Sequence, residues 1–331
     1  MALILVTGAH GQVGREVELA LLKAGHRVVS APHSALDIIK PDHVLSAILD
    51  SKADAVINAA AYANVEKAED ESSLAYSANA IGPRNLARAC AQAGIPLIHI
   101  STDYVFADRK KQPHTEDDPT TTECIYGKSK LDGENFIIAS GCKYLIVRTS
   151  WLFGRFGRNF VKIMLSMAQE RSELAVVYDQ LGNPTPVRPL ADALVKMTEA
   201  ALAPNFTDFG IYHYCGYQAT SWDEFARAVF TQAQQMKVLT HEVNVLSISS
   251  NDFKSKAKRP QDSRLDCTKI QQVFGLEIPY WPDYLGEVIT AYVREGQGLP
   301  PVEDYDPPSL TESTSPEQVL VSNATGPARL S

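Results

Sequence analysis

The segment that most constrains this chain is Thr7-Gly8-Ala9-His10-Gly11-Gln12-Val13-Gly14. It follows an apolar run, Leu3 to Val6, that reads as a buried strand. It opens a helical stretch, Gly11 to Lys23, ended by Ala24-Gly25. Three glycines at GxxGxxG spacing in a strand-to-helix turn have separate physical uses. Gly8 permits the tight turn, Gly11 lets the backbone approach a phosphate, and Gly14 lets helix and strand pack closely. Amides at the helix N-terminus then face the ligand, and the helix dipole favours its charge. The segment therefore predicts a dinucleotide site built from Gly8, Gly11, Gln12, Val13 and Gly14.

Short apolar runs alternate with helical stretches through residue 150. Strands are expected at Arg27 to Ser30, Ala55 to Asn58, Leu97 to Ile100 and Tyr144 to Arg148, and helices at Ser72 to Ala93 and Gly127 to Ala139. This alternation implies βαβ units, hence an α/β fold with a Rossmann-type doubly wound parallel sheet over 1–150. After Trp151 the pattern loosens. Helices are expected at Asn159 to Arg171, Leu190 to Ala203 and Ser221 to Gln235, the last with Ser221 as N-cap and Glu224 completing a capping box. Strands are expected at Leu174 to Tyr178, Ile211 to Cys215 and Val243 to Ile248. Residues 151–297 read mainly as a smaller α/β substrate domain, with segments at about 172–203 returning to the first sheet. Residues 298–331 hold six prolines, five acids and one base without apolar periodicity, and read as a disordered acidic Pro-rich tail.

That tail changes the meaning of the charge. The chain of 331 residues carries a formal net charge of −8, and half of it lies in the tail. The sign argues against nucleic acid or an anionic membrane as main partner, more weakly for the folded body than the total suggests. No apolar run reaches membrane-spanning length, and the N-terminal one is too short for a signal h-region. Five scattered cysteines without a CxxC pair fit a reducing, cytoplasmic setting and exclude a Cys-cluster metal site.

The reactive residues follow the fourth strand. Ser101-Thr102-Asp103-Tyr104 lies at its carboxyl end, where open α/β sheets bind ligands. Tyr126-Gly127-Lys128-Ser129-Lys130 puts Tyr126 and Lys130 on one helix face. An ammonium about 4 Å from a phenol, at an effective dielectric of about 20, contributes roughly 4 kcal/mol, enough to bring a pKa of about 10 near neutrality. On that reasoning Tyr126 is the acid-base residue, Thr102 holds the same substrate oxygen, and Lys130 also reaches a nicotinamide ribose. The second strand runs into Ala31-Pro32-His33-Ser34, with no acid before Asp37. A missing carboxylate removes repulsion against a ribose phosphate and tilts the cofactor towards NADPH, with NADH as the alternative. Arg27 and His33 are the candidates to touch that phosphate.

Together these features resemble the extended short-chain dehydrogenase/reductases. More specific segments narrow the resemblance to the dTDP-4-dehydrorhamnose reductases: Asn58-Ala-Ala-Ala-Tyr62, Val65-Glu-Lys-Ala-Glu69, Ser101-Thr-Asp-Tyr-Val-Phe106, Arg148-Thr-Ser-Trp151, Asn159-Phe160, Asp179-Gln-Leu-Gly-Asn-Pro-Thr185, Arg259-Pro260 and Ser263-Arg-Leu-Asp266. The likeness spans about residues 1 to 295. It implies reduction of dTDP-6-deoxy-L-lyxo-4-hexulose to dTDP-L-rhamnose, with hydride from the nicotinamide and a proton from Tyr126. It implies Gly11, Gln12 and Val13 along the pyrophosphate, and Ala60, Ala61 and Tyr62 on the adenosine and ribose side. Asp37 and Ile38 are also assigned to the cofactor. Thr102, Asp103 and Trp151 would contact the nucleotide-sugar, and Arg259 its pyrophosphate. A homodimer is the assembly it suggests. Some members bind Mg²⁺ through glutamates at a dimer contact; Glu16 matches one position and no other matches, so no metal is expected. Two other readings stand beside this one: a non-catalytic regulatory subunit of the methionine adenosyltransferase type, and a related nucleotide-sugar reductase or epimerase with another sugar.

Overall fold

A computed structural model describes residues 1–107, 110 and 112–302. The tail reading falls mostly on residues 303–331, outside the described residues. Among the described residues no helix is long and apolar enough to cross a membrane.

The first part of the chain alternates strand and helix. In order come β1 (Leu3–Thr7), α1 (Gln12–Lys23), β2 (Arg27–Ala31), α2 (Pro41–Ser51), β3 (Ala55–Asn58), α3 (Val65–Ala68), α4 (Ser72–Tyr76), α5 (Gly82–Ala93), β4 (Leu97–Thr102), α6 (Ile125–Ile138) and β5 (Tyr144–Thr149). The strands stand in the order β2-β1-β3-β4-β5, and Gly210–His213 adds a sixth beside β5. Every pairing is parallel. The order reverses between β1 and β3, which opens a crevice at their carboxyl ends.

Alternation of side chains builds a core on each face. Ile4 and Val6 pack with Val17 and Leu21 of α1 and with Leu190 and Leu194 of helix Val187–Leu202. Leu5 and Val56 pack on the other face with Val44 and Ile48 of α2 and Leu86 and Cys90 of α5. A third core joins Phe153, Val161, Leu165, Phe225, Val229 and Trp281. Over it strand Glu173–Val177 pairs in parallel with Asn244–Ile248.

Several expectations need correction. Within 172–203, Glu173–Val177 pairs outside the six-stranded sheet, and only the helix Val187–Leu202 packs on it. The span Ser72 to Ala93 is not one regular helix, because a π-helical turn, Ser77–Ile81, separates α4 from α5. The turn lets α6 approach closely: a Cβ on Gly133 would stand 2.1 Å from the Asn79 carbonyl oxygen. Ser221 sits at the N-cap of its helix but makes no cap bond, since its hydroxyl is taken by the Asp223 carboxylate. Helices Pro41–Ser51, Thr268–Phe274 and Leu285–Gly296 carry no expectation above.

Candidate active site

The glycine segment forms one wall of the crevice by backbone geometry alone. Gly8 has a φ of +67°, and a Cβ there would stand 2.6 Å from the Ala60 nitrogen. A Cβ on Gly14 would stand 2.3 Å from the Gly8 carbonyl oxygen. Both positions therefore require glycine for shape, and neither lines the cavity. Gly11 is the N-cap of α1, no side chain caps the first-turn amides, and no acid lies in the first turn. Those donors, with the positive end of the helix dipole, remain available to a ligand. Gly11, Gln12 and Val13 line a cavity of about 410 Å³ whose next wall is Ala59 to Ala61. A glycine cradle with uncapped amides fits a dinucleotide pyrophosphate.

The opposite wall comes from β4 and α6. Thr102 closes β4, and its hydroxyl donates to Asp103 at 3.1 Å while accepting from the Tyr104 amide at 3.2 Å. Cys124 caps α6 with its sulfur, 3.3 Å from the Gly127 nitrogen. Tyr126 and Lys130 project from that helix into the same cavity. The expected electrostatics do not hold. Burial pushes the Tyr126 phenol up to about 12, opposed by a hydrogen bond with Thr102 and reinforced by the Asp103 charge. Lys130 does not give its ammonium to the phenol: Nζ runs to the Ile100 carbonyl at 2.6 Å. Burial brings Lys130 down to about 8, opposed by Glu134. The two residues share a helix face, as their spacing predicts, but Tyr126 meets Tyr104 edge-on at 5.4 Å while Lys130 turns towards the sheet.

Asp103 is 2% exposed, and burial raises its carboxyl to about 6 against hydrogen bonds from Ser263 and Thr102. Trp151 has a φ of +44°, rare for a non-glycine residue, and its ring stacks on Trp222 at 3.6 Å. Arg259 lies outside this cavity and lines a second one of about 400 Å³. Tyr104 lines both. The Arg259 guanidinium is held by Glu66 at 2.8 Å and by the Tyr104 hydroxyl at 3.4 Å.

Other expected residues lie elsewhere. Tyr62 does not line the cavity; its hydroxyl donates to Glu71, and its amide to Asn79 at 2.8 Å. Asp37 caps a turn through the Ile39 amide at 3.2 Å, and Ile38 is buried against Gly82, so neither reaches the cavity. Arg27 begins β2, opposite Leu3 and at the far end of the sheet from the glycine turn. Four residues of strand, at about 3.3 Å each, keep it from a ribose phosphate there; His33 is exposed at the near end. Glu16 is engaged through both oxygens by Arg155 at 2.8 Å. Among the described residues no group of three or more His, Cys, Asp or Glu is arranged to hold a metal ion.

Three further residues shape these walls. Trp222 backs Trp151, and only the fold brings them together. Tyr104 belongs to the segment Ser101-Thr-Asp-Tyr that ends β4, a signal the sequence does contain. Buried His99 touches Lys130 from below at 3.4 Å, a contact set by strand register that no spacing announces.

Comparison with known proteins agrees along the whole folded length. A family model described as the RmlD substrate binding domain matches residues 1–294. The dTDP-4-dehydrorhamnose reductase of Aggregatibacter actinomycetemcomitans is 43% identical over 282 residues, covering 85% of this chain and 96% of that protein. The reductase of the same description from Escherichia coli K12 is 37% identical, covering 84% and 94%. A crystal structure of the dTDP-4-dehydrorhamnose reductase of Bacillus anthracis in complex with NADP superposes with a TM-score of 0.80 at 36% identity, covering 86% of this chain and 97% of that one.

Proposed function

Because the chain belongs to the RmlD substrate binding domain family, we propose that it reduces the 4-keto group of dTDP-4-dehydro-L-rhamnose to the hydroxyl of dTDP-L-rhamnose, with NADPH as reductant. The observation that carries this reading is the meeting in one cavity of the uncapped glycine cradle, Gly11 to Val13, with Thr102, Tyr126 and Lys130. When bound, the nicotinamide supplies hydride to the carbonyl carbon.

The remaining work falls to the side chains. Tyr126, with its pKa near 12, is protonated at any physiological pH and is a ready donor. The oxygen formed by reduction is far more basic than a phenolate, so the proton moves downhill from Tyr126 without the phenol titrating near neutrality. Thr102, oriented by the Tyr104 amide, turns its hydroxyl proton from Asp103 to the substrate oxygen and fixes it beside the phenol. Trp151 offers a flat face to the sugar or base, kept rigid by the stack on Trp222. Arg259 meets the substrate pyrophosphate in the neighbouring cavity as a bidentate donor. Gly11, Gln12 and Val13 take the cofactor pyrophosphate, and Ala60 and Ala61 the ribose side. NADPH is favoured because no carboxylate follows β2 to repel a ribose phosphate.

The test is direct. The purified chain is mixed with NADPH and dTDP-4-keto-6-deoxyglucose, together with the 3,5-epimerase that makes the substrate, and nicotinamide absorbance is followed. Loss of absorbance that depends on the sugar supports the reading, and no turnover rejects it.

A further inference from the structure

Behind the cavity, heavy-atom positions fix a run of proton positions. The Ala60 amide, which can only donate, lies 3.1 Å from Asn58 Oδ1, and Thr7 Oγ1 donates to the same oxygen at 2.6 Å. Asn58 Nδ2 therefore faces His99 Nδ1, at 2.9 Å. An amide nitrogen only donates, so His99 Nδ1 accepts, and the neutral ring carries its proton on Nε2. That Nε2 lies 3.4 Å from Lys130 Nζ. An ammonium at Nζ sets N–H against N–H. A neutral amine instead offers its lone pair to Nε2–H while one of its hydrogens still bonds the Ile100 carbonyl.

We propose that Asn58 and His99 set the proton state of Lys130: the imidazole is locked in the tautomer that offers Lys130 an N–H, and this favours the neutral amine. His99 is thus a positioning residue, acting through Lys130. Its burial keeps it neutral: His99 is 0% exposed, and desolvation together with Lys130 holds its pKa well below the ordinary histidine value. Among the described residues the other charged or titratable groups near Lys130 are Tyr126 and Glu134 on α6, with Glu134 clamped by Arg148 of β5 at 2.7 Å, and Asp103 on the same cavity. The catalytic consequence rests on the reductase reading. In that reading Tyr126 gives up its proton, and a Lys130 ammonium in the same cavity stabilises the phenolate left behind, so the ammonium form is the active one and turnover falls as pH rises through the Lys130 titration. A His99 that presented a lone pair instead would move that fall upward.

The first measurement needs no substrate. In full-length protein labelled with ¹⁵N-histidine, His99 is assigned by the peaks lost in His99→Gln. The expected pattern is a protonated Nε2 and an unprotonated Nδ1 from pH 6 to 9; a proton on Nδ1, or on both nitrogens, overturns the proposal. The second measurement uses Asn58→Asp, whose carboxylate accepts from Nδ1–H and reverses the tautomer. The alkaline fall in kcat/KM with NADPH is expected to move up by at least one pH unit. An unmoved fall in a folded variant whose tautomer has reversed also overturns it. If the variant does not fold, the wild-type NMR pattern still decides. Absence of activity on the dTDP-sugar rejects the reductase reading alone, because the tautomer is read without turnover.

Discussion

The two walls of the cavity are held by different forces. The wall at Gly11, Gln12 and Val13 contains no charged group and is fixed from behind by close backbone contact at Gly8 and Gly14, where a Cβ on Gly14 would stand 2.3 Å from a carbonyl oxygen. The wall at buried Thr102 and Lys130 and half-buried Tyr126 is a set of polar groups whose properties come from what surrounds them: the Ile100 carbonyl, His99, Asp103 and the sheet. The first is rigid because an atom added at Gly8 or Gly14 collides with backbone. The second is tuned because its groups lost much of their water on folding, and desolvation moved Tyr126 up and Lys130 down. Substitutions on the first wall are therefore expected to act on cofactor binding and stability, and those on the second on rate and its pH dependence.

The largest effect that can break this contrast is expected at Lys130. Lys130→Met keeps the volume and removes a desolvated amine. Turnover should fall by about 100-fold or more, the lower range of acid–base contributions, while the melting temperature stays level or rises. A falling melting temperature with retained turnover would make this wall structural. On the other wall, Gly14→Val forces side-chain atoms into the Gly8 carbonyl. Overpacking of this kind costs about 1–3 kcal/mol, so the melting temperature should drop by several degrees and the NADPH dissociation constant rise by at least tenfold. Calorimetry and fluorescence titration read both, and unchanged NADPH affinity would refute the cradle.

Asp103 sharpens the comparison through pH. Its folded pKa of about 6 lies above the ordinary 3.8, so between those values the folded state binds more protons than the unfolded one. The group therefore favours folding at low pH and loses that contribution as pH rises through 6, by up to about 3 kcal/mol. Asp103→Asn should be at least as stable as the parent at pH 7.5, with a flatter stability profile between pH 4 and 6, read by urea denaturation. A steeper loss with the Asn variant would contradict the assignment. Smaller effects are expected at the substrate end. Arg259→Lys gives up the two-pronged guanidinium held between Glu66 and Tyr104, and should raise KM for the sugar by about tenfold, or about 1.4 kcal/mol, while KM for NADPH stays the same. The smallest is the cofactor preference: NADPH should give the higher kcat/KM, and equal or better use of NADH would remove the argument from the missing acid after β2.

The same contrast decides what the sequence disclosed. Gly8, Gly11 and Gly14 are legible because the restriction is local: a turn and a helix start within eight residues leave few conformations. The parallel sheet is legible for a similar reason, through the apolar runs of β1, β3, β4 and β5. Tyr126 and Lys130 are legible as a pair on one helix face, but their chemistry is not. The strand beneath α6 decides that Lys130 turns to Ile100, and no helical spacing contains that information. Tyr62, Asp37 and Ile38 show the same limit from the other side: the hydroxyl of Tyr62 is taken by Glu71, Asp37 caps the Ile39 amide and Ile38 packs on Gly82, contacts that no spacing announces. Trp222 and His99 depend wholly on tertiary neighbours, and so does the π-turn at Ser77–Ile81.

The central claim is that Tyr126, held as a neutral phenol, donates the proton that completes reduction of the dTDP-keto-sugar. It is tested most directly by comparing Tyr126→Phe with the parent protein in NADPH oxidation and in NADPH affinity. The predicted result is a loss of kcat of at least about 100-fold with the NADPH dissociation constant within about twofold, because the ring still packs on Tyr104 and the cradle is untouched. Turnover within threefold of the parent would contradict the claim.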